Sequence, residues 1–242
     1  MKPGLAARLL SARDQGSTAS GPARALALLG AAAPGQPTGE LLDLPMGEAD
    51  RRLLALRRRL LGERLHAVAD CPGCGSATEL ALELPAIALP PVTPGVVEVR
   101  HEGWTVTARP PTLADLLAIA AAPDMAAARA GLQARCLLHA RHGATHAPTA
   151  AVPEAVLEAV ATALAEADPQ ADIELALTCP ACGTAAVLPF DIGGFLWREV
   201  ESWSARLLAE VHELALAYGW TEQAILGLSP QRRQHYLGLL GR

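Results

Sequence analysis

Aromatic residues are scarce in this sequence, at 3% of the chain. Hydrophobic residues nevertheless reach 51%, and alanine and leucine supply much of that fraction. Alanine and leucine favour helices, whereas strands are enriched in aromatic and β-branched residues. The composition therefore predicts a mainly α protein. At 242 residues the chain is long enough to bury a core, in one large domain or two small ones.

Long apolar runs are also missing, since no stretch approaches the ~20 residues that a membrane-spanning helix needs. Residues 1–10 lack the apolar core and the cleavage site of a signal peptide. We therefore expect a cytoplasmic protein with no membrane partner. In that compartment thiols stay reduced, and Cys-x-x-Cys pairs indicate metal or redox chemistry.

Positive charge is in deficit, because 20 Lys and Arg residues face 25 Asp and Glu residues, for a net charge of −5. Proteins that bind nucleic acid usually present a basic face to the phosphates. A nucleic-acid partner is therefore not expected. The local run of arginines over residues 51–59 alternates with leucines, which is typical of the solvated face of an amphipathic helix.

Catalytic fingerprints are lacking as well. The sequence has no Gly-x-Ser-x-Gly, Walker or Rossmann motif. His212 and Glu213 begin a His-Glu-x-x-His pattern, but position 216 is leucine, so the zinc-protease motif fails. These absences predict that the protein is not an enzyme.

Two further groups carry side chains capable of chemistry. Cys136 stands beside Leu137 and Leu138 on a predicted helix, where a small buried hydrophobe is the expected role. The spacing of three histidines, His139, His142 and His146, hints at a metal cluster. Because Gly143 and Pro148 break the helical pattern there, the expected place of these histidines is instead a surface helix end.

The most informative feature present is a doubled Cys-Pro-x-Cys-Gly motif, at residues 71–75 and 179–183. Each copy lies between two strand-like segments, so residues 65–84 resemble residues 173–192. Such a turn, here called a knuckle, directs two thiolates at one point, and two knuckles supply the four sulfurs of tetrahedral zinc. The predicted ligands of one structural Zn²⁺ are Cys71, Cys74, Cys179 and Cys182.

Three other interpretations of the knuckles remain open: redox-active Cys-x-x-Cys pairs, two disulfides, or knuckles that no longer bind metal. A thioredoxin-like pair should open a helix after a strand, whereas each copy here lies between strands. With four sulfurs on zinc there is no open position for water, so the predicted site is structural and not catalytic.

Hydrophobic periodicity divides the chain into three predicted segments: an N-terminal arm with a short helix (1–45), a helical and β region bracketed by the knuckles (46–192), and a helical region (193–242). Residues 1–21 are expected to form a loose arm. Helices are predicted over 22–32, 48–66, 124–141, 152–166 and 196–218, a strand over 79–84 and a hairpin over 96–109. Thr112, Thr221 and Ser229 are predicted helix caps. The predicted fold is α+β, mainly α: a helical bundle with a small zinc-ribbon-like β element and a β-hairpin.

Most of the Trp and Tyr residues lie in the last fifth of the chain. They can form a local helical core, or they can anchor a partner, since aromatic side chains make strong interface anchors. The candidate partner-interface residues are Trp197, Trp203, Tyr218, Trp220 and Tyr236.

Three C-terminal stretches, residues 195–200, 208–220 and 225–236, carry a family resemblance. They are similar to the ends of baseplate and hub-assembly proteins of contractile-tailed phages and of phage-like contractile injection systems: a long helix, a Tyr-Gly-Trp corner, and a Ser-Pro helix ending in tyrosine. The injection-system relatives also resemble this chain in the paired knuckles and in the leucine-rich helix at residues 50–66.

This resemblance implies a non-enzymatic role as an assembly factor or minor component of a baseplate. The implied partners are baseplate or hub proteins, and the chain could then be incorporated into a phage-tail-like particle. One alternative is a zinc-ribbon adaptor that binds nucleic acid or transcription machinery. Another is an enzyme on a zinc-stabilised scaffold.

Overall fold

The structure is a computed structural model that describes residues 4–241. The chain forms two compact units. One, the helical unit, consists of residues 4–36 and 192–241, and the other, the mixed unit, consists of residues 37–191. The sequence-based division into three segments does not include this pairing of the two chain ends.

Helices form the larger part of the regular structure, which confirms the mainly α, α+β class. Their bounds are α1 (Leu5–Gly16), α2 (Gly21–Ala32), α3 (Thr38–Leu42), α4 (Met46–Leu61), α5 (Leu113–Ile119), α6 (Met125–Cys136), α7 (Glu154–Ala167), α8 (Ile192–Tyr218), α9 (Glu222–Leu226) and α10 (Pro230–Leu240). Short 3-10 turns lie at Leu84–Ala86, Thr149–Ala151 and Pro169–Ala171. No helix within residues 4–241 is both long and apolar enough to cross a membrane.

The strands belong to the mixed unit and form three antiparallel sheets. Their bounds are β1 (Arg64–Asp70), β2 (Ala77–Glu83), β3 (Val97–His101), β4 (Trp104–Ala108), β5 (Leu137–His142), β6 (Thr145–Ala147), β7 (Glu174–Thr178) and β8 (Ala185–Pro189). Strands β1 and β2 form one hairpin, β7 and β8 form another, and the third sheet has the order β3-β4-β5-β6.

The helical unit packs α1, α2 and α8 together, with α9 and α10 against the second half of α8. The apolar stripe of α8 is buried, including Leu196, Val200, Leu207 and Leu214. Gly219, with φ of 66°, ends this helix as predicted, because a left-handed C-cap favours glycine. The predicted caps also hold, since Thr221 and Ser229 accept hydrogen bonds from the backbone of α9 and α10.

The loose arm expected over residues 1–21 is wrong for the residues that the structure describes. Residues 1–3 lie outside them, and α1 occupies most of the remainder. Leu5 and Leu9, one helical turn apart, are fully buried in this helix, and Leu10 is nearly so. Gly, Ser and Asp residues around them interrupt the apolar pattern, which is why periodicity alone did not predict the helix.

The mixed unit has its main core between the four-stranded sheet and α7. The buried residues of this core are Val106, Ala108, Leu137, Ala140, Val152, Val156 and Val160. The predicted hairpin is present as β3 and β4, and its turn residues Glu102 and Gly103 have φ of 49° and 79°. The predicted capping box also holds, because the Thr112 N–H donates to the Asp115 carboxylate at the start of α5.

Two predicted helices end earlier than the sequence indicated. The helix expected over 48–66 stops at Leu61, because Gly62 adopts a φ of 87° and β1 begins two residues later. The helix expected over 124–141 stops at Cys136, and the chain continues as β5. Pairing with β4 explains this second difference, since a tertiary partner overrides local helix propensity.

The start of α4 is capped from a distant part of the chain. Pro45 precedes the helix and offers no side-chain hydrogen bond. Instead, the buried Asp168 carboxylate accepts the Gly47 N–H at 2.9 Å. A Cβ at position 47 would collide with this carboxylate, so only glycine fits there. The cap ties α4, which leads into the first knuckle, to the segment that leads into the second.

Candidate metal centre

Each knuckle joins the two strands of a short hairpin. The first lies between β1 and β2, and the second between β7 and β8. The two knuckles have the same backbone hydrogen bonds: Cys71 N–H donates to Ser76 O at 3.0 Å, and Cys179 N–H donates to Thr184 O at 2.9 Å. Gly75, with φ of 72°, closes the first turn. The equivalent glycine of the second knuckle has φ of 74°.

The two hairpins bring four sulfurs to one point. The Sγ atoms of Cys71, Cys74, Cys179 and Cys182 all lie within 4.8 Å of one another. Across the knuckles, the Sγ atoms of Cys71 and Cys182 are 3.6 Å apart, and those of Cys74 and Cys179 are 3.7 Å apart. These cross-pairs relate the first cysteine of each knuckle to the second cysteine of the other.

The separation of the sulfurs suits a shared metal ion. A tetrahedral zinc site with Zn–S bonds of about 2.3 Å places its sulfurs roughly 3.8 Å apart. A disulfide would require an S–S distance of about 2.05 Å, and all five cysteines have free thiols. Since the four cysteines supply soft sulfur donors in the number that zinc prefers, the residues present fit a tetrathiolate site.

Burial divides the four sulfurs into two kinds. Cys71 and Cys179 are buried, and Cys74 and Cys182 are exposed. Each exposed sulfur lies near a hydroxyl: Cys74 is 3.3 Å from Ser76 Oγ, and Cys182 is 3.1 Å from Thr184 Oγ1. Residues 76 and 184 occupy the same position after each knuckle glycine. Sequence reasoning missed these two residues, although their matching positions in the repeat were a usable signal.

Hydrogen bonds around the second knuckle favour the thiolate forms that bind metal. The backbone N–H of Cys182 lowers the pKa of Cys179 to about 6. The hydrogen bond with the Thr184 hydroxyl lowers the pKa of Cys182. Burial instead raises the pKa of Cys71 to about 11, so the two buried thiols shift in opposite directions. The four sulfurs therefore do not ionise independently.

Close packing joins the knuckles beyond their sulfurs. A Cβ on Gly73 would lie 2.5 Å from Thr184 Oγ1 and 3.1 Å from Thr184 Cβ. Thr184, which follows the other knuckle, therefore leaves room only for glycine at position 73. The Thr78 hydroxyl of β2 also approaches Cys179 Sγ, at 3.9 Å. These contacts place the sulfurs of one hairpin against side chains of the other.

The C-terminal aromatic residues have contacts within the helical unit. Trp197 is 1% exposed, donates from Nε1 to Glu201 and lies under the Arg24 guanidinium. Tyr218, Trp220 and Tyr236 form a stacked and edge-on cluster, with ring centroids 4.7 to 5.7 Å apart.

The fifth predicted interface residue, Trp203, packs on a core formed by α1 and α8. Four of these five residues are half-buried, and Trp197 is fully buried. Their role at an interface stays a prediction.

The remaining candidate residues lie apart from the knuckles. Cys136 is 4% exposed and ends α6, which confirms its expected role as a small buried residue. The expected helix end at the histidines is wrong, because His139 and His142 lie in β5 and His146 in β6. His142 packs against Trp104 of the neighbouring strand. Within residues 4–241, the four knuckle cysteines form the one group of His, Cys, Asp or Glu residues close enough to hold a metal ion.

The fold and the site define a mainly α protein whose two hairpins converge on a four-cysteine centre. Comparison with protein families adds that the family model described as T4 bacteriophage base plate protein matches residues 9–197. The chain therefore belongs to the T4 bacteriophage base plate protein family, which confirms the resemblance to phage baseplate proteins. No curated protein and no solved structure matches the chain.

Proposed function

We propose that the protein is a non-enzymatic assembly factor or minor structural component of the baseplate of a phage-like contractile injection system. Its partners are then other baseplate or hub proteins. The observation that carries this proposal is the match of residues 9–197 to the baseplate family. That match spans both knuckles and the whole of the mixed unit.

The proposal includes one structural zinc ion held by Cys71, Cys74, Cys179 and Cys182. The convergence of the four sulfurs within 4.8 Å supports it. Zinc would bind these thiolates and contribute folding free energy, because a structural site is absent from the unfolded chain. The ion would cross-link the β1–β2 hairpin to the β7–β8 hairpin and close the long segment between them.

The non-enzymatic part of the proposal follows from the chemistry of the site. Four protein sulfurs complete a tetrahedral shell and leave no position for a water or a substrate. The acid, base and nucleophile set that catalysis needs was not found in the sequence.

Metal content and a thiol count test the zinc part of the proposal. Mass spectrometry of protein purified without chelator should find one zinc per chain, and five free thiols should appear after denaturation and metal release. Absence of metal, or fewer than five thiols, would overturn the zinc assignment.

Co-expression with the baseplate proteins encoded beside it should give a co-purifying complex. Electron microscopy should then show incomplete baseplates when this chain is deleted. Normal particles in the deletion strain would contradict the baseplate role, whatever the metal content.

A further inference from the structure

A groove in the mixed unit has the chemistry of a docking site. It lies between α4 and a proline-rich segment, residues 84–96, here called the proline strap, and encloses about 320 Å³. One wall is the face of α4 that carries Arg51, Leu54 and Arg58, and the other wall includes Leu89 and Pro91 of the strap. The groove lies outside the cysteine centre and has no part in holding its metal.

The proline strap is held in place although most of it is neither helix nor strand. The Leu89 N–H donates to Gln170 Oε1 at 2.6 Å, and Gln170 Nε2 donates to the carbonyl of Ile87 at 3.1 Å. Gln170 is 3% exposed. Four prolines lie at residues 85, 90, 91 and 94 and restrict the backbone further. A wall already fixed in position loses little conformational entropy when a ligand binds.

The strap exposes aliphatic side chains to solvent. Leu89 is 41% exposed, Val92 is 45% exposed and Val96 is 58% exposed. These side chains are close in sequence on an ordered segment, and the adjacent groove is also lined by apolar residues, among them Leu84, Leu89 and Pro91. Aliphatic surface of this kind favours aliphatic groups on the ligand.

Of the two arginines on the charged wall of the groove, one has no ion-pair partner among the described residues. Arg51 is held by the Glu48 carboxylate, with hydrogen bonds of 2.7 Å. The Arg58 guanidinium, two helical turns further on, makes no ion pair or hydrogen bond within residues 4–241. An exposed arginine beside an apolar groove complements a carboxylate on a ligand. The protein's own net charge of −5 opposes association with a second copy.

We propose that the groove between α4 and the proline strap binds an acidic, aliphatic segment of a partner protein. One carboxylate of that segment pairs with Arg58, and its neighbouring aliphatic side chains pack on Leu89 and Pro91. The inference rests on the proposed baseplate role, because it names the chemistry of a protein partner for this chain.

A random-peptide library displayed on phage provides the test, selected against the full-length zinc-loaded chain. The enriched peptides should carry Asp or Glu beside Leu, Ile or Val. Arg58→Glu should weaken their binding about tenfold or more, and Leu89→Ser should weaken it several-fold. Raising NaCl from about 50 to about 300 mM should weaken binding to the native chain, because the exposed pair is screened.

Arg59→Glu is the matched control, since Arg59 is the adjacent exposed arginine, has no ion-pair partner in the part of the chain that the structure describes, and does not line the groove. It should leave peptide affinity within about twofold of the native value. Equal effects of the substitutions at positions 58 and 59 would overturn the proposal. Basic or aromatic consensus peptides, or no enrichment of any peptide, would also overturn it. So would self-association of the chain through this groove, measured by sedimentation.

Melting curves and zinc content are recorded for every variant, so that loss of folding is separated from loss of binding. A groove that binds no acidic peptide, in a chain that still joins baseplates, defeats this inference alone. A chain that binds the peptides but joins no baseplate defeats the proposed function instead.

Discussion

The two knuckles have the same backbone turn but differ in the side chains around it. In each, the first cysteine and the glycine make the same two backbone hydrogen bonds, at distances between 2.8 and 3.0 Å. The hairpins that carry them differ in length, with seven-residue strands in the first and five-residue strands in the second. The turn is therefore dictated locally by the motif and does not depend on the length of its hairpin.

The side chains differ at two related positions. Between the proline and the second cysteine, the first knuckle has Gly73 and the second has Ala181. After the knuckle glycine, the first has Ser76 and the second has Thr184. The smaller residue, Gly73, faces the larger hydroxyl residue, Thr184, across the centre. The turn is therefore encoded in five residues, whereas the fit between the halves is encoded by residues far apart in the chain.

The largest expected effect comes from loss of a buried cysteine and should be the same in both knuckles. Cys71→Ser and Cys179→Ser should each abolish zinc binding and destabilise the mixed unit by on the order of 4 kcal/mol or more, because each removes a buried ligand of a site coupled to folding. Zinc content and chemical denaturation measure both losses. Cys136→Ala, outside the centre, is the control and should retain its zinc. Full zinc content and an unchanged denaturation midpoint in either serine variant would refute the shared site.

Substitutions at the residue before the second cysteine should affect the two knuckles differently. Gly73→Ala should destabilise the protein by about 1–3 kcal/mol, because the new Cβ overlaps Thr184 and forces it from its place beside Cys182. Ala181→Gly should cost less, about 1 kcal/mol. Denaturation midpoints of the two variants give the comparison.

A double variant sharpens this test. Gly73→Ala combined with Thr184→Ser reproduces the residue types of the other half, alanine with serine, and should recover part of the lost stability. If Gly73→Ala is as stable as the native chain, the packing of Thr184 on the first knuckle does not constrain position 73.

Sequence reasoning reached the centre because its signal is local and repeated. The spacing within each knuckle, and the strand-like flanks, predicted that Cys71, Cys74, Cys179 and Cys182 act together, and the hairpins do bring them together. The β3–β4 hairpin and the caps at Thr112, Thr221 and Ser229 were predicted for the same reason, since turn and cap chemistry depends on a few adjacent residues.

The features that sequence reasoning missed depend on partners distant in the chain. Strand β5 reads as a helix by propensity and becomes a strand by pairing with β4. Helix α1 has an irregular apolar pattern and packs against α8, which begins at residue 192. The cap of α4 comes from Asp168, more than a hundred residues away. No window of local sequence contains these pairings.

The glycines that close the two knuckles adopt the same left-handed backbone conformation. Gly75→Ala and Gly183→Ala should destabilise the protein equally, by about 1–2 kcal/mol each, because φ values of 72° and 74° are unfavourable for any residue with a Cβ. Both glycines have open space where a Cβ would point, so the cost is conformational and not steric. Gly95→Ala, at an exposed loop glycine without positive φ, is the control. A difference between the two knuckle variants larger than about 1 kcal/mol would show that their turns are not equivalent.

The smallest expected effect concerns α4, the helix that leads to the first knuckle. Asp50 lies on α4, and its burial, together with the nearby Asp191 and Asp168 carboxylates, raises its pKa from 3.8 to about 8. A raised carboxyl pKa means that the folded state holds the proton more tightly, so its stabilising contribution is complete below about pH 4 and is lost as pH rises towards about 8. Acid would act on the proposed zinc site in the opposite sense, because protonation of the thiolates releases the metal.

Asp50→Asn removes the pH-dependent contribution of the Asp50 carboxyl group and leaves that of the cysteine thiolates unchanged. The variant should be more stable than the native chain by about 1 kcal/mol near pH 8.5, a value reduced by solvent screening of a half-buried group, and the gain should shrink towards pH 5. That difference corresponds to a rise in melting temperature of ~2–4 °C. Thermal denaturation of both proteins across this range, with zinc content recorded at each pH, measures it. A constant difference between the two curves would mean that Asp50 does not titrate in this window.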